Sequence, residues 1–79
     1  MDWKKTRLPS GSKLFMVNSF TYMYKGRTFI LEVDEFSDGT FTGHGEQSTD
    51  KSHVVESVSG KSVQECLEAL IKRIDQRIQ

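Results

Sequence analysis

The chain has a single cysteine, Cys66, which excludes any disulfide within it. A small domain that holds together without such staples fits a reducing compartment, and the cytoplasm is the expected location. There is no net charge, with 11 basic and 11 acidic residues, which argues against holding nucleic acid or an anionic membrane by bulk charge. Long apolar runs are missing too: Leu14-Phe15-Met16-Val17 is far too short to export or to span, so no leader or membrane anchor is expected. Soft metal ligands are scarce. His44, His53 and Cys66 form no compact zinc-ligand pair at any of their spacings, and no cofactor is called for. No internal repeat or low-complexity segment is evident.

What is present fits one small α+β domain. Its 79 residues give a core that barely offsets the roughly 1.5 kcal/mol per residue lost on ordering the chain, so self-association, most simply as a homodimer, is expected. Charge is uneven along the chain. Lys4, Lys5, Arg7 and Lys13 against Asp2 give residues 1–13 a charge of +3. Residues 14–60 hold Lys25, Arg27 and Lys51 against seven carboxylates, a charge of −4, and residues 61–79 supply the remaining +1. An acidic middle suits a basic partner surface better than a phosphate backbone.

Residues 1–12 combine charge, the only proline and a Ser-Gly-Ser run, which reads as a flexible basic arm before a β-β-β-β-α domain over 13–79. From Lys13 to Tyr24 the residues are aromatic, β-branched or methionine, a strand composition with a possible break at Asn18-Ser19. Lys25-Gly26 makes a two-residue turn into RTFILEVDEF. That turn pairs Tyr24 with Arg27, Tyr22 with Phe29 and Phe20 with Leu31 on a core face shared with Val33. Met23, Thr28, Ile30, Glu32 and Asp34 then fall on the opposite, contact-competent face. Ser37-Asp38-Gly39 is the strongest turn signal. A two-residue Asp38-Gly39 turn sends Phe41 outward and a bulged loop sends it inward opposite Glu35; the sequence leaves both open. Gln47–Ser52 reads as a polar loop and His53–Ser59 as a last strand, so the sheet is an antiparallel meander of three to four strands.

Ser62 stands three residues before Glu65 in a capping-box arrangement, predicting a helix from there to Gln79. Val63, Cys66, Leu67, Leu70, Ile71, Ile74 and Ile78 recur at three- and four-residue steps, an apolar stripe of roughly 140° that covers one sheet face. Cys66 on this stripe reads as a small hydrophobe rather than a nucleophile.

Chemistry-bearing patterns are sparse. Asp34, Glu35 and Asp38 lack the alternating ligand series of a calcium loop and read as charge at a solvated turn. Gly43-His44-Gly45 is too short for a phosphate loop and precedes no helix. His44 on an exposed strand could serve as a general base only with a partner that the sequence does not assign. The first-strand aromatics Phe15, Phe20, Tyr22 and Tyr24 read first as core and second as a base-stacking platform. Trp3, Lys4, Lys5 and Arg7 supply the ingredients of a nucleic-acid-binding arm.

Over Arg27–Ile78 the order strand, strand, strand, helix resembles the HicB-like antitoxin domain. The resemblance lies in EVDEFSDG, TFTGHGE, and VSGKS leading into VQECLEALIKRI, above all in Gly60-Lys61-Ser62 and Glu65-Cys66-Leu67. The chain departs from that family in having an extra N-terminal strand, a polar insertion at 47–52 and no appended DNA-binding segment, which leaves operator binding unsupported. The resemblance implies a dimerising, non-enzymatic module whose relatives mask a small RNA-cleaving toxin and carry no catalytic residues.

Overall fold

The computed structural model describes residues 2–78, with the side chains of 50–52 and 78 outside the described set. A 3-10 turn at Trp3–Lys5 precedes strands β1 (Phe15–Tyr24), β2 (Arg27–Phe36), β3 (Phe41–Gln47) and β4 (Asp50–Gly60), and the chain closes with helix α1 (Val63–Ile78). The four strands form an open antiparallel sheet in the order β1-β2-β3-β4.

Local chemistry sets each turn. Lys25 and Gly26 both have positive φ, 49° and 76°, the backbone of a type I′ hairpin whose twist matches that of the strands it joins. The register follows, with Tyr24 opposite Arg27, Tyr22 opposite Phe29 and Phe20 opposite Leu31. Asn18-Ser19 makes no break: β1 runs on unbroken, and the Asn18 amide donates to the Val33 carbonyl at 3.3 Å. At the next turn Gly39 N–H donates to the Phe36 carbonyl and Phe36 N–H to that of Thr40, both at 2.9 Å, with Gly39 at φ 92°. This is the bulged three-residue loop, so Phe41 points inward opposite Glu35. Asp38 completes it by accepting from Thr40 N–H at 3.0 Å and Thr40 Oγ1 at 2.7 Å, and those bonds hold its carboxyl below the usual value.

The region read as a polar loop over 47–52 is mostly strand. Gln47 already faces Asp50, leaving Ser48-Thr49 as a tight turn. Ser48 explains the difference, because its N–H (2.9 Å) and hydroxyl (3.2 Å) both donate to the Thr28 carbonyl and hold the turn against β2. β4 carries an extra residue between the pairs Gly43–Val58 and Gly45–Val55, a bulge opposite His44.

Ser62 caps α1 by accepting from Glu65 N–H at 3.0 Å. Cys66, Leu70 and Ile74 are fully buried against Phe29, Leu31, Val33, Val55 and Val58, with Val63, Leu67 and Ile71 packed at the margin. Of the residues placed on this stripe, the side chain of Ile78 lies outside the described residues, as does Gln79 at the expected helix end. The sheet meets the helix closely because β3 presents glycine there: a methyl group on Gly43 would sit 3.1 Å from both Leu70 Cδ1 and Val58 Cγ2.

Helix α1 packs on β4, β3 and β2. A helix with side chains is only about 10 Å across, while four strands at about 4.8 Å spacing are wider. β1 is therefore left largely outside its cover. The radius of gyration, 14.2 Å, exceeds the roughly 11.6 Å of a compact domain of this length, as expected for a sheet and arm that extend beyond the helix. The first-strand aromatics are core only in part: Tyr22 and Tyr24 pack against its edge, but Phe20 is 37% and Phe15 44% exposed.

Candidate functional site

The register divides the sheet residues cleanly. The face away from α1 carries Phe15, Val17, Ser19, Thr21 and Met23 of β1, Thr28, Ile30, Glu32, Asp34 and Phe36 of β2, Thr42, His44 and Glu46 of β3, and Val54 and Ser59 of β4. Met23, Thr28, Ile30, Glu32 and Asp34, grouped from the sequence, do share this face. Met23 is the most exposed of them at 75%, and the β2 residues are half-buried by their strand neighbours. Three carboxylates (Glu32, Asp34, Glu46) occupy it, with no lysine or arginine among its described strand residues.

His44 lies between two of these carboxylates, its Nε2 3.6 Å from Asp34 Oδ2 and 3.8 Å from Glu32 Oε1. These separations are longer than the hydrogen bond that orients a catalytic base. The depression beside it, about 210 Å³ and floored by Ile30, Gly45 and Val54, is smaller than the pockets that enclose substrates. Among the described residues no group of three His, Cys, Asp or Glu side chains is placed to hold a metal ion.

Further hollows lie elsewhere among the described residues. One of about 200 Å³ between Arg27, His53 and Arg77 has Phe29 and Ile74 at its floor, but Arg77 Nη1 is spent on the Val54 carbonyl at 2.6 Å. A wider cleft of about 410 Å³, where the arm passes the β2–β3 turn, is lined by Leu8, Leu14, Phe36 and Thr42. Cys66 is wholly buried, and burial pushes its thiol up, which keeps it protonated.

The arm residues Trp3, Lys4 and Lys5 form the 3-10 turn, capped by Asp2, which accepts from Lys4 N–H at 3.1 Å. Lys4 Nζ is engaged by Glu35 at 2.5 Å, and that bond raises its pKa. One of the arm's cations is thus paired within the molecule, while Lys5 and Arg7 are exposed.

At the other end of β1, Tyr24 Oη donates to Asp75 Oδ1 at 2.5 Å and ties the first hairpin to α1. This bond, with burial adding to it, raises the phenol above its ordinary value near 10. A raised folded-state pKa contributes stability that is complete below the unfolded value and is lost as pH climbs through the folded one. Thermal melts of the wild type and Tyr24→Phe are thus expected to differ at pH 7 and to converge above about pH 10. A gap unchanged across that range would show that the hydrogen bond is not its source.

Sequence reasoning placed the β1 aromatics in the core first, and the structure leaves the strand more exposed than that. Phe15, Met16, Val17 and Phe20 are between 37% and 48% exposed, and the available signal was the absence of any charged residue from Phe15 to Tyr24 on either face. Among the described residues no helix is long and apolar enough to cross a membrane. Comparison of the chain with family models, with curated proteins and with solved structures gives no match.

Proposed function

We propose that this chain is a non-enzymatic protein-interaction module of HicB-like layout, which binds a basic protein through the sheet face that α1 leaves uncovered. The observation that carries the reading is the composition of that face. Exposed Met23 and half-buried Ile30 share it with Glu32, Asp34 and Glu46, and no lysine or arginine lies among its described strand residues. An apolar patch rimmed by charge of one sign is the ordinary make-up of a specific protein contact. The resemblance of residues 27–78 to antitoxin domains makes a small toxin-like protein the partner class to test first.

The test is co-purification from the native lysate of the wild type beside an Ile30→Lys/Asp34→Lys variant. A partner retained by the wild type, released by salt and lost from the variant supports the reading. Recovery of the same proteins by both forms, or of none by either, refutes it.

A further inference from the structure

We infer that β1 is a self-complementary edge and that two copies of this chain join through it, antiparallel, into one continuous eight-stranded sheet. The backbone supplies the first argument. In an antiparallel ladder, alternate residues turn both N–H and C=O toward the neighbouring strand. The two-residue turn makes Tyr24–Arg27 a hydrogen-bonded pair, and the Leu14 carbonyl accepts from Ser37 N–H at 3.1 Å. Even-numbered residues of β1 therefore bond β2, and Phe15, Val17, Ser19, Thr21 and Met23 direct their N–H and C=O outward.

These five residues are symmetric about Ser19. A two-fold axis there pairs Ser19 with itself, Val17 with Thr21 and Phe15 with Met23, so every outward N–H and C=O from 15 to 23 finds a partner. Moving the axis by one residue, to Phe20, would leave Phe15 facing Lys25 in the turn, where φ is 49° and strand pairing ends. The side chains agree with the Ser19 register. On one face Phe15 (44% exposed) meets Met23 (75%), and on the other Met16 (43%) meets Tyr22.

The second argument is a contrast between the two edges. Strands at sheet edges are normally protected by charge, proline, a bulge or a covering element. β4 has such protection: it bulges opposite His44, Arg77 caps the Val54 carbonyl at 2.6 Å, and Glu56 is paired with Arg73 of α1 at 2.7 Å. β1 has ten residues without charge, proline or bulge. A second copy brings the same uncharged strand, so no like charges meet, and closure about a two-fold axis uses up the edge instead of propagating it. The inference does not rest on the partner proposed above: it uses the backbone edge of β1, and of the contact residues named there only Met23 lies on that strand.

Sedimentation equilibrium and paired spin labels test it. The full chain is expected to sediment at twice 9.1 kDa at micromolar concentration. Ser19→Pro removes an N–H that points away from β2 and is expected to weaken dimerisation at least tenfold while far-ultraviolet circular dichroism stays unchanged; Met23→Lys, at a site exposed in the monomer, serves the same purpose should the proline variant fail to fold. A nitroxide on Met23→Cys should report a separation between copies of about 27 Å, eight strand residues at about 3.4 Å each, with buried Cys66 unlabelled. A monomeric wild type, open-ended oligomers, dimers that survive both substitutions, or a label distance near 20 Å would each overturn the proposal. So would a stable complex in which β1 pairs only with a different protein.

Discussion

Gly43→Val is expected to destabilise the domain by about 3 kcal/mol or more, at the upper end of the cost of overpacking a closed core. The reason is the space on the helix side of β3. A Cβ at position 43 would lie 3.1 Å from Leu70 Cδ1, 3.1 Å from Val58 Cγ2 and 3.3 Å from Cys66 Cβ. Leu70 and Cys66 are fully buried and Val58 nearly so, which leaves none of them a free rotamer to retreat into. Valine adds two further methyl groups, and the relief left is for α1 to move off the sheet. For a domain of this size each kcal/mol is worth about 4–8 °C of melting temperature, so the midpoint should fall by more than about 12 °C. Thermal and urea melts at one fixed protein concentration measure it, because any self-association links stability to concentration. A variant within about 1 kcal/mol of the wild type would show that the helix seats loosely on β3 and yields to the added methyl groups.

That glycine also marks how far the sequence could be read. Elements governed by short-range chemistry were legible: the Lys25-Gly26 hairpin and its register, the Ser62 cap, and the stripe that buries Cys66, Leu70 and Ile74. Each depends on residues within a few positions of one another. Phe41 was not legible, because its direction hinges on whether Gly39 bulges, and Thr40 bonding back to Asp38 and Phe36 decides that only once the strands have met. The strand content of 47–52 was hidden for a similar reason, as the pairing of Ser48 with the Thr28 carbonyl spans twenty residues. The candidate face was legible as a register consequence, which is why Met23, Thr28, Ile30, Glu32 and Asp34 do lie together. The exposed edge was not, because alternation along β1 tells which face a residue occupies but not how many strands one helix can cover.

Leu70→Ala is the complementary experiment and is expected to cost about 3–5 kcal/mol, the range for a wholly buried leucine whose site cannot collapse. Leu70 is 0% exposed and sits at the middle of α1, facing Gly43. Total stability for 79 residues is about 4–12 kcal/mol at roughly 0.05–0.15 kcal/mol per residue. The single truncation therefore removes a large share of it, and urea melts should show an earlier midpoint with little change in slope. Combined with Gly43→Ala the loss should shrink. The new methyl group would enter the volume vacated by Leu70 Cδ1, relieving its own crowding and part of the cavity together. A favourable coupling of about 1 kcal/mol or more in the double-mutant cycle is the expected signature of two groups sharing one space. Strict additivity would mean that the helix and β3 relax independently, and that the glycine at 43 answers to the backbone of the strand rather than to the helix packed on it.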